Sequence, residues 1–429
     1  MSRRQMIRQS ALLGGALTIG AGGLSAAPAP AARAKAVIQI WLWGGPSHLD
    51  TFDPKPDAGR DYCGPFDQPV ATSVDGIRIN ELLPTLAKHA DKYSLIRSMT
   101  HGNTGHETAA YIVQTGREPD RLVYPSLGAI VSLFKGYDHG YKGLIPPYIV
   151  LTQPQGRFSE AGFLGLRYKP FATEGDPAKA VFAVEGVVAE GIPAQRQAER
   201  RELMHRLDAL GRALPADPRF KQLERSESKA YEMILGDAGK LFDLTTEKQE
   251  TRDRYGMNTF GQSCLMARRL VEQGVPYITI NSKGWDTHKQ HFETMRRRLP
   301  ELDMGLSSLI DDLSQRGLLD STILWCGGEF GRTPKIQWES PWNGGRGHYG
   351  NCFSALIAGG GFKGGRVLGS SDKTGSEVAD RPVHPAEMLG AMSSLLGIDP
   401  DQALPNSRGI ETTVMPPMPT GTLRLKELL

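Results

Sequence analysis

Short apolar runs alternate with amphipathic helical segments along most of this chain, and this alternation constrains the fold more than any other feature. Runs rich in β-branched and aromatic residues predict strands over residues 36–43, 93–99, 147–151, 277–280, 322–326 and 353–358. Apolar residues at helical spacing predict helices over residues 81–92, 107–114, 125–134, 259–273, 292–315 and 385–396. Each helix returns the chain across a face of the sheet, so the strands run mostly parallel. The sequence therefore predicts an α/β fold with a mostly parallel central sheet, flanked by helices on both faces.

The length of 429 residues suits one large domain with insertions, or two domains. We expect a single α/β domain over residues 35–429. Residues 194–256 are strongly charged, and leucines recur at helical spacing between positions 203 and 214. This segment is predicted to be a helical insertion.

The N-terminus has the pattern of a twin-arginine export signal. Arg3 and Arg4 precede a weakly apolar stretch over residues 11–27, and small residues follow up to position 34. Residues 1–34 are therefore predicted to be a signal peptide, which places the mature protein in the periplasm or outside the cell. No later segment approaches the roughly 20 consecutive apolar residues of a membrane span, so none is expected in the mature chain.

Charge and cysteine content limit the classes of partner. Removal of the signal takes away four arginines and no acidic residue, so the formal net charge falls from +3 to about −1. Without a basic bias, nucleic acid is not an expected partner. The four cysteines have no CxxC spacing, so disulfide pairing and buried free thiols both remain open.

Carboxylates and imidazoles follow the predicted strands at the points where the strands end. Ligands of parallel sheets bind at the carboxyl ends of the strands, so these side chains are expected to share one site. One more histidine, His348, lies in a Gly-rich loop just before the strand at 353–358. Carboxylates and imidazoles that converge from short loops suit a divalent metal, although a set of separate polar loops would have the same composition. The residues after strands are Asp50, His106, Asp286, His288 and Glu329.

Four motifs resemble one exported bacterial family, the domain of unknown function 1501. They are GGPSHLDTFDPKP at 44–56, GWDTH at 284–288, GEFGRTP at 328–334 and GRGHY at 345–349. The family in turn is similar to the alkaline phosphatase and sulfatase superfamily. The resemblance covers nearly the whole mature chain, and it implies that superfamily's fold and metal-dependent hydrolysis of phosphate or sulfate esters.

The superfamily pattern is altered at the position of the nucleophile. The segment from His106 to Arg117 resembles the sulfatase nucleophile segment in its spacing, but His106 stands where the superfamily has Cys, Ser or Thr. The resemblance implies that Asp286 and His288 are metal ligands. In the third motif, Glu329 replaces an Asp ligand and Phe330 replaces a His ligand.

The resemblance implies a divalent metal held by Asp50, His106, Asp286, His288, Glu329 and His348. This mixture of oxygen and nitrogen ligands suits zinc, manganese or iron better than calcium, with zinc or manganese favoured. Arg332 is a candidate clamp for the anionic ester, or else a salt-bridge partner. His48 and His101 are candidates for supporting contacts. Neither the sheet argument nor the family pattern requires His291.

Three roles remain open for the site. In the first, His106 is a metal ligand and a water molecule activated by the metal attacks the ester. In the second, His106 itself attacks the ester. In the third, the site binds a ligand without turnover. The first, which we favour, predicts an exported metal-dependent hydrolase whose substrate is an anionic ester, including one linked to a carbohydrate. The alternative is a non-catalytic metal-binding envelope protein that retains the fold for binding or assembly. A metal-dependent hydrolase of another bond, such as an amide, is a third candidate.

Overall fold

The strand Ala36–Leu42 (β1) lies in the middle of the main sheet, and every one of its residues is buried. Gly44 and Gly45 follow the strand with positive φ angles, a backbone conformation that favours glycine, and they turn the chain sharply. The computed structural model describes residues 32–153, 160–184, 238–406, 408–418 and 424–429, together with 195–196, 199 and 202.

Eight strands form one sheet in the order β12-β4-β11-β8-β1-β7-β5-β6. Neighbouring strands are parallel, except that β11 runs antiparallel to both β4 and β8. The carboxyl ends of β1, β4, β7 and β8 therefore share an edge with the beginning of β11. In chain order the strands of the described residues are β1 Ala36–Leu42, β2 Val70–Ala71, β3 Arg78–Ile79, β4 Tyr93–Met99, β5 Tyr148–Leu151, β6 Phe171–Ala172, β7 Tyr277–Ser282, β8 Thr322–Gly327, β9 Gly331–Arg332, β10 His348–Tyr349, β11 Phe353–Ala358, β12 Arg366–Leu368, β13 Ser370–Ser371 and β14 Val378–Asp380.

Helices cover both faces of the sheet. Successive residues of a strand point to opposite faces, so Ile38 and Ile40 pack into one apolar core while Val37 and Trp41 pack into the other. The first core includes residues of α7 and α8, and the second includes residues of α3, α4 and α9. In chain order the α-helices of the described residues are α1 Arg60–Cys63, α2 Pro84–Ala87, α3 His106–Thr115, α4 Leu127–Lys135, α5 Ala238–Phe242, α6 Gln249–Tyr255, α7 Thr259–Glu272, α8 His291–Gln315 and α9 Pro385–Leu395.

The predicted α/β fold is confirmed, with a mostly parallel sheet between two layers of helices. The helix predicted over 81–92 is wrong in its extent, because only Pro84–Ala87 is α-helical and a 3-10 turn follows at Ala90–Lys92. A contact from a distant part of the chain accounts for this difference. The Asp303 carboxylate on α8 accepts hydrogen bonds from the amides of Thr85 and Leu86 and fixes the start of the short helix.

Two predictions fall largely on residues that the structure does not describe. The signal peptide over 1–34 lies outside the described residues up to position 31. The helical insertion over 194–256 lies mostly outside them as well, and its described end contains the helices Ala238–Phe242 and Gln249–Tyr255. Both remain predictions.

The structure also shows the state of the cysteines and the character of the described helices. Cys63, Cys264, Cys326 and Cys352 are all buried free thiols. In the described part of the chain, no helix has both the length and the apolar character that crossing a membrane requires.

Truncation of the central strand tests the packing. Ile40 is completely buried, so we expect Ile40→Ala to lower the free energy of unfolding by about 2–5 kcal/mol, through lost transfer energy and an unfilled cavity. Ile40→Val removes one methyl group at the same site and should cost only about 0.5–1.5 kcal/mol. Urea unfolding monitored by circular dichroism measures both, and equal costs for the two variants would contradict this packing.

Candidate metal centre

Three loops approach one another closely at the carboxyl edge of the sheet. The loop after β7 carries Asp286 and His288, and it lies between the turn after β1 and the β9–β10 hairpin. A Cβ at Gly44 would lie 2.2 Å from the Asp286 amide nitrogen, and one at Gly345 would lie 1.8 Å from the His288 carbonyl oxygen. Only glycine allows these approaches, so the two glycines determine how deeply the loop is held.

Four of the predicted site residues meet at this edge. Asp286 Oδ1 lies 3.1 Å from His288 Nε2 and 3.1 Å from His348 Nε2. Asp286 Oδ2 lies 3.4 Å from Nε2 of His106, the first residue of α3. Ligand atoms of His106, Asp286 and His348 all lie within 4.8 Å of one another. These four side chains therefore lie together in one cluster, and their role as metal ligands stays a prediction.

Glu329 supports this cluster from behind. Its Oε1 accepts hydrogen bonds from His106 Nδ1, at 2.7 Å, and from the Gly44 amide, at 2.9 Å. The side chain is completely buried, and Oε2 has no hydrogen-bond partner among the described residues. His101 adds a contact at 2.7 Å between its Nε2 and the main-chain oxygen of Glu329. Glu329 is therefore placed to orient His106.

The hydrogen bonds of the imidazoles decide which nitrogen faces the cluster. The Nδ1 of His348 lies 2.8 Å from the main-chain oxygen of Thr104, which can only accept, so this nitrogen carries the proton. In the same way the Nδ1 of His106 donates to the Glu329 carboxylate. In a neutral ring, Nε2 then carries the lone pair on the side of Asp286, where it is available to a metal ion. A carboxylate or main-chain oxygen behind a ligating histidine is the usual arrangement at a metal.

The closest contact within the cluster joins two imidazole nitrogens. Nε2 of His288 lies 2.8 Å from Nε2 of His348, and both nitrogens face the same carboxylate oxygen. Two lone pairs at this distance repel each other unless a proton or a metal ion lies between them. Three imidazole nitrogens and a carboxylate match the donor set of zinc sites, and manganese and iron accept the same donors. The residues therefore fit a divalent metal ion.

The pKa shifts of the cluster residues differ in their effect on metal binding. Partial burial by itself raises the pKa of Asp286, but the hydrogen bond and charge of Arg332 outweigh it and hold the pKa at about 2. Burial lowers the pKa of His288 despite the nearby Asp286 charge. The hydrogen bond to Glu329 raises the pKa of His106. Because metal ligands must be deprotonated, Asp286 and His288 are ready to coordinate, whereas His106 must compete with a proton.

Arg332 was predicted as a clamp for an anionic group, and the structure places it beneath the cluster. Its side chain is completely buried, and its guanidinium donates to the main-chain oxygens of Gly44, Gly45 and Arg346 and to the Asp286 carboxylate. These contacts hold Asp286 in place, so they are those of a positioning residue. The anion-clamp role stays a prediction.

Asp50 was predicted as a metal ligand, and the structure places it in a buried ion-pair cluster. Its Oδ2 lies 2.8 Å from Arg346 Nε and 2.8 Å from His291 Nε2. Burial by itself raises the pKa of Asp50, but the charge of Arg346 and the hydrogen bond from His291 outweigh it and lower the pKa to about 2. The hydrogen bonds and ion pairs of this carboxylate are thus with Arg346 and His291, and its role as a ligand stays a prediction.

Sequence reasoning named Phe330 only as the replacement of a His ligand, and it did not predict the aromatic contacts of His106. Its ring stacks on Trp43 with centroids 5.9 Å apart and lies 5.1 Å from the ring of Phe330. Phe330 also stacks on the His348 ring at 4.6 Å. Trp43 is the last residue of the strand predicted over 36–43, and Phe330 directly follows Glu329 after the strand predicted over 322–326. Their positions at the ends of strands are the signal that would have located them. They restrict the rotation of the two imidazoles.

The chain belongs to the family described as protein of unknown function (DUF1501), whose model matches residues 34–416. A search of curated proteins returned no match.

Solved structures similar to this chain include sulfatases and members of the alkaline phosphatase superfamily. One is a superfamily protein from Vibrio parahaemolyticus, with 11% identity, a TM-score of 0.39 and coverage of 86% of this chain and 68% of that one. Another is the PsFucS1 sulfatase from Pseudoalteromonas sp., with 14% identity, a TM-score of 0.36 and the same coverage, 86% and 68%. A third is the C-terminal periplasmic domain of EcEptC from Escherichia coli in complex with Zn, with 11% identity, a TM-score of 0.36 and coverage of 90% and 92%. Similarity at this level says nothing about the reaction of this chain.

The low pKa of Asp50 predicts a pH dependence of stability. An unfolded aspartate titrates near pH 3.9, as a rough reference value, while the folded-state pKa of Asp50 is about 2. The stabilisation is therefore fully present above about pH 4 and is lost as the pH falls toward 2, a change of about 2–3 kcal/mol. Asp50→Asn should remove that part of the pH dependence.

Urea titrations of both proteins between pH 2 and pH 7 measure this difference. At pH 7 the variant should also be less stable by about 3–5 kcal/mol, because the buried Arg346 loses its ionic partner. An unchanged slope between pH 4 and pH 2 in Asp50→Asn would contradict the ion pair.

Proposed function

We propose that this protein is an exported metal-dependent hydrolase that cleaves a phosphate or sulfate ester. The convergence of three imidazole Nε2 atoms on the Asp286 carboxylate is the observation that carries this proposal. His106, Asp286, His288 and His348 would hold a divalent ion, with zinc or manganese favoured. When bound, such an ion acts as a Lewis acid and lowers the pKa of water to about 7.

The supporting residues have separate tasks in this proposal. Glu329 keeps the proton on His106 Nδ1 and leaves Nε2 free on the side of Asp286. Arg332 keeps Asp286 ionised and oriented. His106 thus serves as a ligand, although the same free nitrogen would suit it for direct attack on the ester. In either role the reaction depends on an unprotonated Nε2.

The start of α3 favours an anionic substrate. The helix begins at His106, and no side chain in the described part of the chain caps its N-terminus. The free amide groups and the helix dipole place partial positive charge beside the cluster, and this charge attracts phosphate and sulfate groups. An anionic ester is therefore the substrate class that this site supports best.

A cavity lined by Gln290, which follows the loop that carries Asp286 and His288, is the candidate place for the remainder of the ester. Its volume is about 660 Å³, and its lining includes Gln290, two residues after His288, and Asn343. Trp338, whose indole is partly exposed, and the cations Arg60 and Arg296 also line it. An aromatic face among charged and amide groups supports a carbohydrate in this position.

A non-catalytic metal-binding protein is the competing proposal. It is favoured by one observation, which is that the position of the usual hydroxyl or thiol nucleophile holds His106, whose Nδ1 is committed to Glu329. Turnover by the purified protein decides between the two proposals.

Metal binding provides the first test. At a free Zn²⁺ concentration 100-fold above the dissociation constant, the metal should stabilise the wild-type protein by about 2.7 kcal/mol and raise its melting temperature. Asp286→Ala and His348→Ala remove ligands and should abolish this rise. His139→Ala removes an exposed histidine and should retain it. The absence of a metal-dependent rise in the wild-type protein, with Mn²⁺ as well as Zn²⁺, would refute the metal centre.

Hydrolysis of aryl phosphate and aryl sulfate esters provides the second test. The metal-loaded wild-type protein should turn over at least one ester class, and Asp286→Ala and His106→Ala should each lower kcat/KM by about 100-fold or more. His139→Ala serves as the matched control. Metal binding without turnover of any ester would favour the binding protein.

Export provides a third test. Substitution of both Arg3 and Arg4 by lysine should retain the full-length protein inside the cell, because twin-arginine signals are read at this pair. Cell fractionation with antibody detection compares the variant with the wild type. Equal amounts of both proteins in the periplasm would contradict export by this route.

A further inference from the structure

A buried hydrogen-bonded chain lies directly behind the loop that carries Asp286 and His288. Thr287 Oγ1 lies 2.6 Å from His291 Nδ1, and His291 Nε2 lies 2.8 Å from Asp50 Oδ2. Arg346 completes the chain with its Nε 2.8 Å from the same Asp50 oxygen. Asp50, His291 and Arg346 are 0% exposed, and Thr287 is 5% exposed, so the whole chain is shielded from water.

The direction of each hydrogen bond follows from the chemistry of the groups. An ionised carboxylate can only accept, so the Nε2 of His291 carries a proton and donates it to Asp50. The Nδ1 of the neutral ring is then an acceptor, and the Thr287 hydroxyl donates to it. The charge of Arg346 fixes the Asp50 carboxylate at the other end. The orientation of the Thr287 side chain is thus determined by an ion pair several groups away.

Thr287 lies between two ligands of the proposed metal centre, and its hydroxyl contacts His291 in the buried chain. Asp286 is exposed and His288 is partly exposed, whereas Thr287 is buried. Arg346 holds the same residue a second time, because its amide donates to the Thr287 carbonyl oxygen at 3.2 Å. A shift of Thr287 would therefore move both flanking ligands together.

We propose that Thr287, His291 and Asp50 are positioning residues that hold Asp286 and His288 at the spacing that a metal ion needs. This inference rests on the proposed metal centre. It assigns Asp50 a task other than ligation, since both its close partners lie in the buried chain. It also gives a role to Thr287 and His291, which the proposed chemistry does not otherwise use.

Substitutions at Thr287 test this proposal through metal affinity. Thr287→Val keeps the shape of the side chain and removes the hydroxyl, so the dissociation constant for Zn²⁺ should rise about 10–100-fold, as for lost supporting contacts at other metal sites. Thr287→Ser keeps the hydroxyl and should restore an affinity close to that of the wild type. Competition with a chromophoric chelator measures the dissociation constants of the full-length proteins.

A control separates positioning from general stability. Thr322 is a buried threonine at the first residue of β8, and its hydroxyl has no hydrogen-bond partner among the described residues. Thr322→Val makes the same chemical change at the opposite edge of the same sheet, and it should leave the Zn²⁺ affinity unchanged.

The outcomes distinguish this proposal from the one on which it rests. A folded wild-type protein that binds no Zn²⁺ would refute the metal centre and this proposal with it. Binding by the wild type with an unchanged affinity in Thr287→Val would overturn the positioning role alone. Equal loss of affinity in Thr287→Ser or in Thr322→Val would also overturn it, because the effect would then not depend on the Thr287 hydroxyl.

Discussion

The buried guanidinium of Arg332 is the interaction on which the arrangement of the site depends. A charge without access to water must be surrounded by acceptors, and Arg332 finds them in three different loops. It contacts main-chain oxygens of Gly44 and Gly45 after β1, the main-chain oxygen of Arg346 in the β9–β10 hairpin, and the Asp286 carboxylate after β7. The loops can therefore not separate without leaving the cation unpaired. Asp286 is held where three imidazoles reach it.

A second buried arginine, Arg346, binds the residues beneath the cluster. Arg346 pairs with Asp50 and also donates to main-chain oxygens of Tyr62, Thr333 and Pro334. The two arginines are linked, because Arg332 donates to the carbonyl oxygen of Arg346. One of them orients a carboxylate that faces the cluster, and the other orients a carboxylate that faces the interior. Asp286 and Asp50 look equivalent as metal ligands in the sequence, but they have different surroundings because they pair with different arginines.

His106, which stands at the altered nucleophile position, is held by contacts on several sides. Its ring is held by Glu329 on one nitrogen and by the aromatic rings of Trp43 and Phe330 on its faces. Such a ring cannot rotate freely, so the remaining nitrogen has a defined direction toward Asp286. Phe330, which stands where the superfamily pattern has a histidine ligand, contributes through this restriction instead. The site therefore combines an imidazole-rich set of donors with an aromatic support.

The sequence by itself predicted six of the eight strands of the main sheet, the succession of strands and helices along the chain, and the edge at which polar side chains meet. These features follow from local patterns, since strands such as Tyr93–Met99 and Phe353–Ala358 have the bounds that their apolar runs predict. Only the tertiary structure decided which polar residues share a contact. His106 and Glu329 are 223 residues apart, and Asp50 and His291 are 241 residues apart, so no local pattern distinguishes these pairs from other combinations of the same residue types. Burial determines which residues pair, because a buried charge needs a partner and the packed loops bring only certain residues within hydrogen-bond distance.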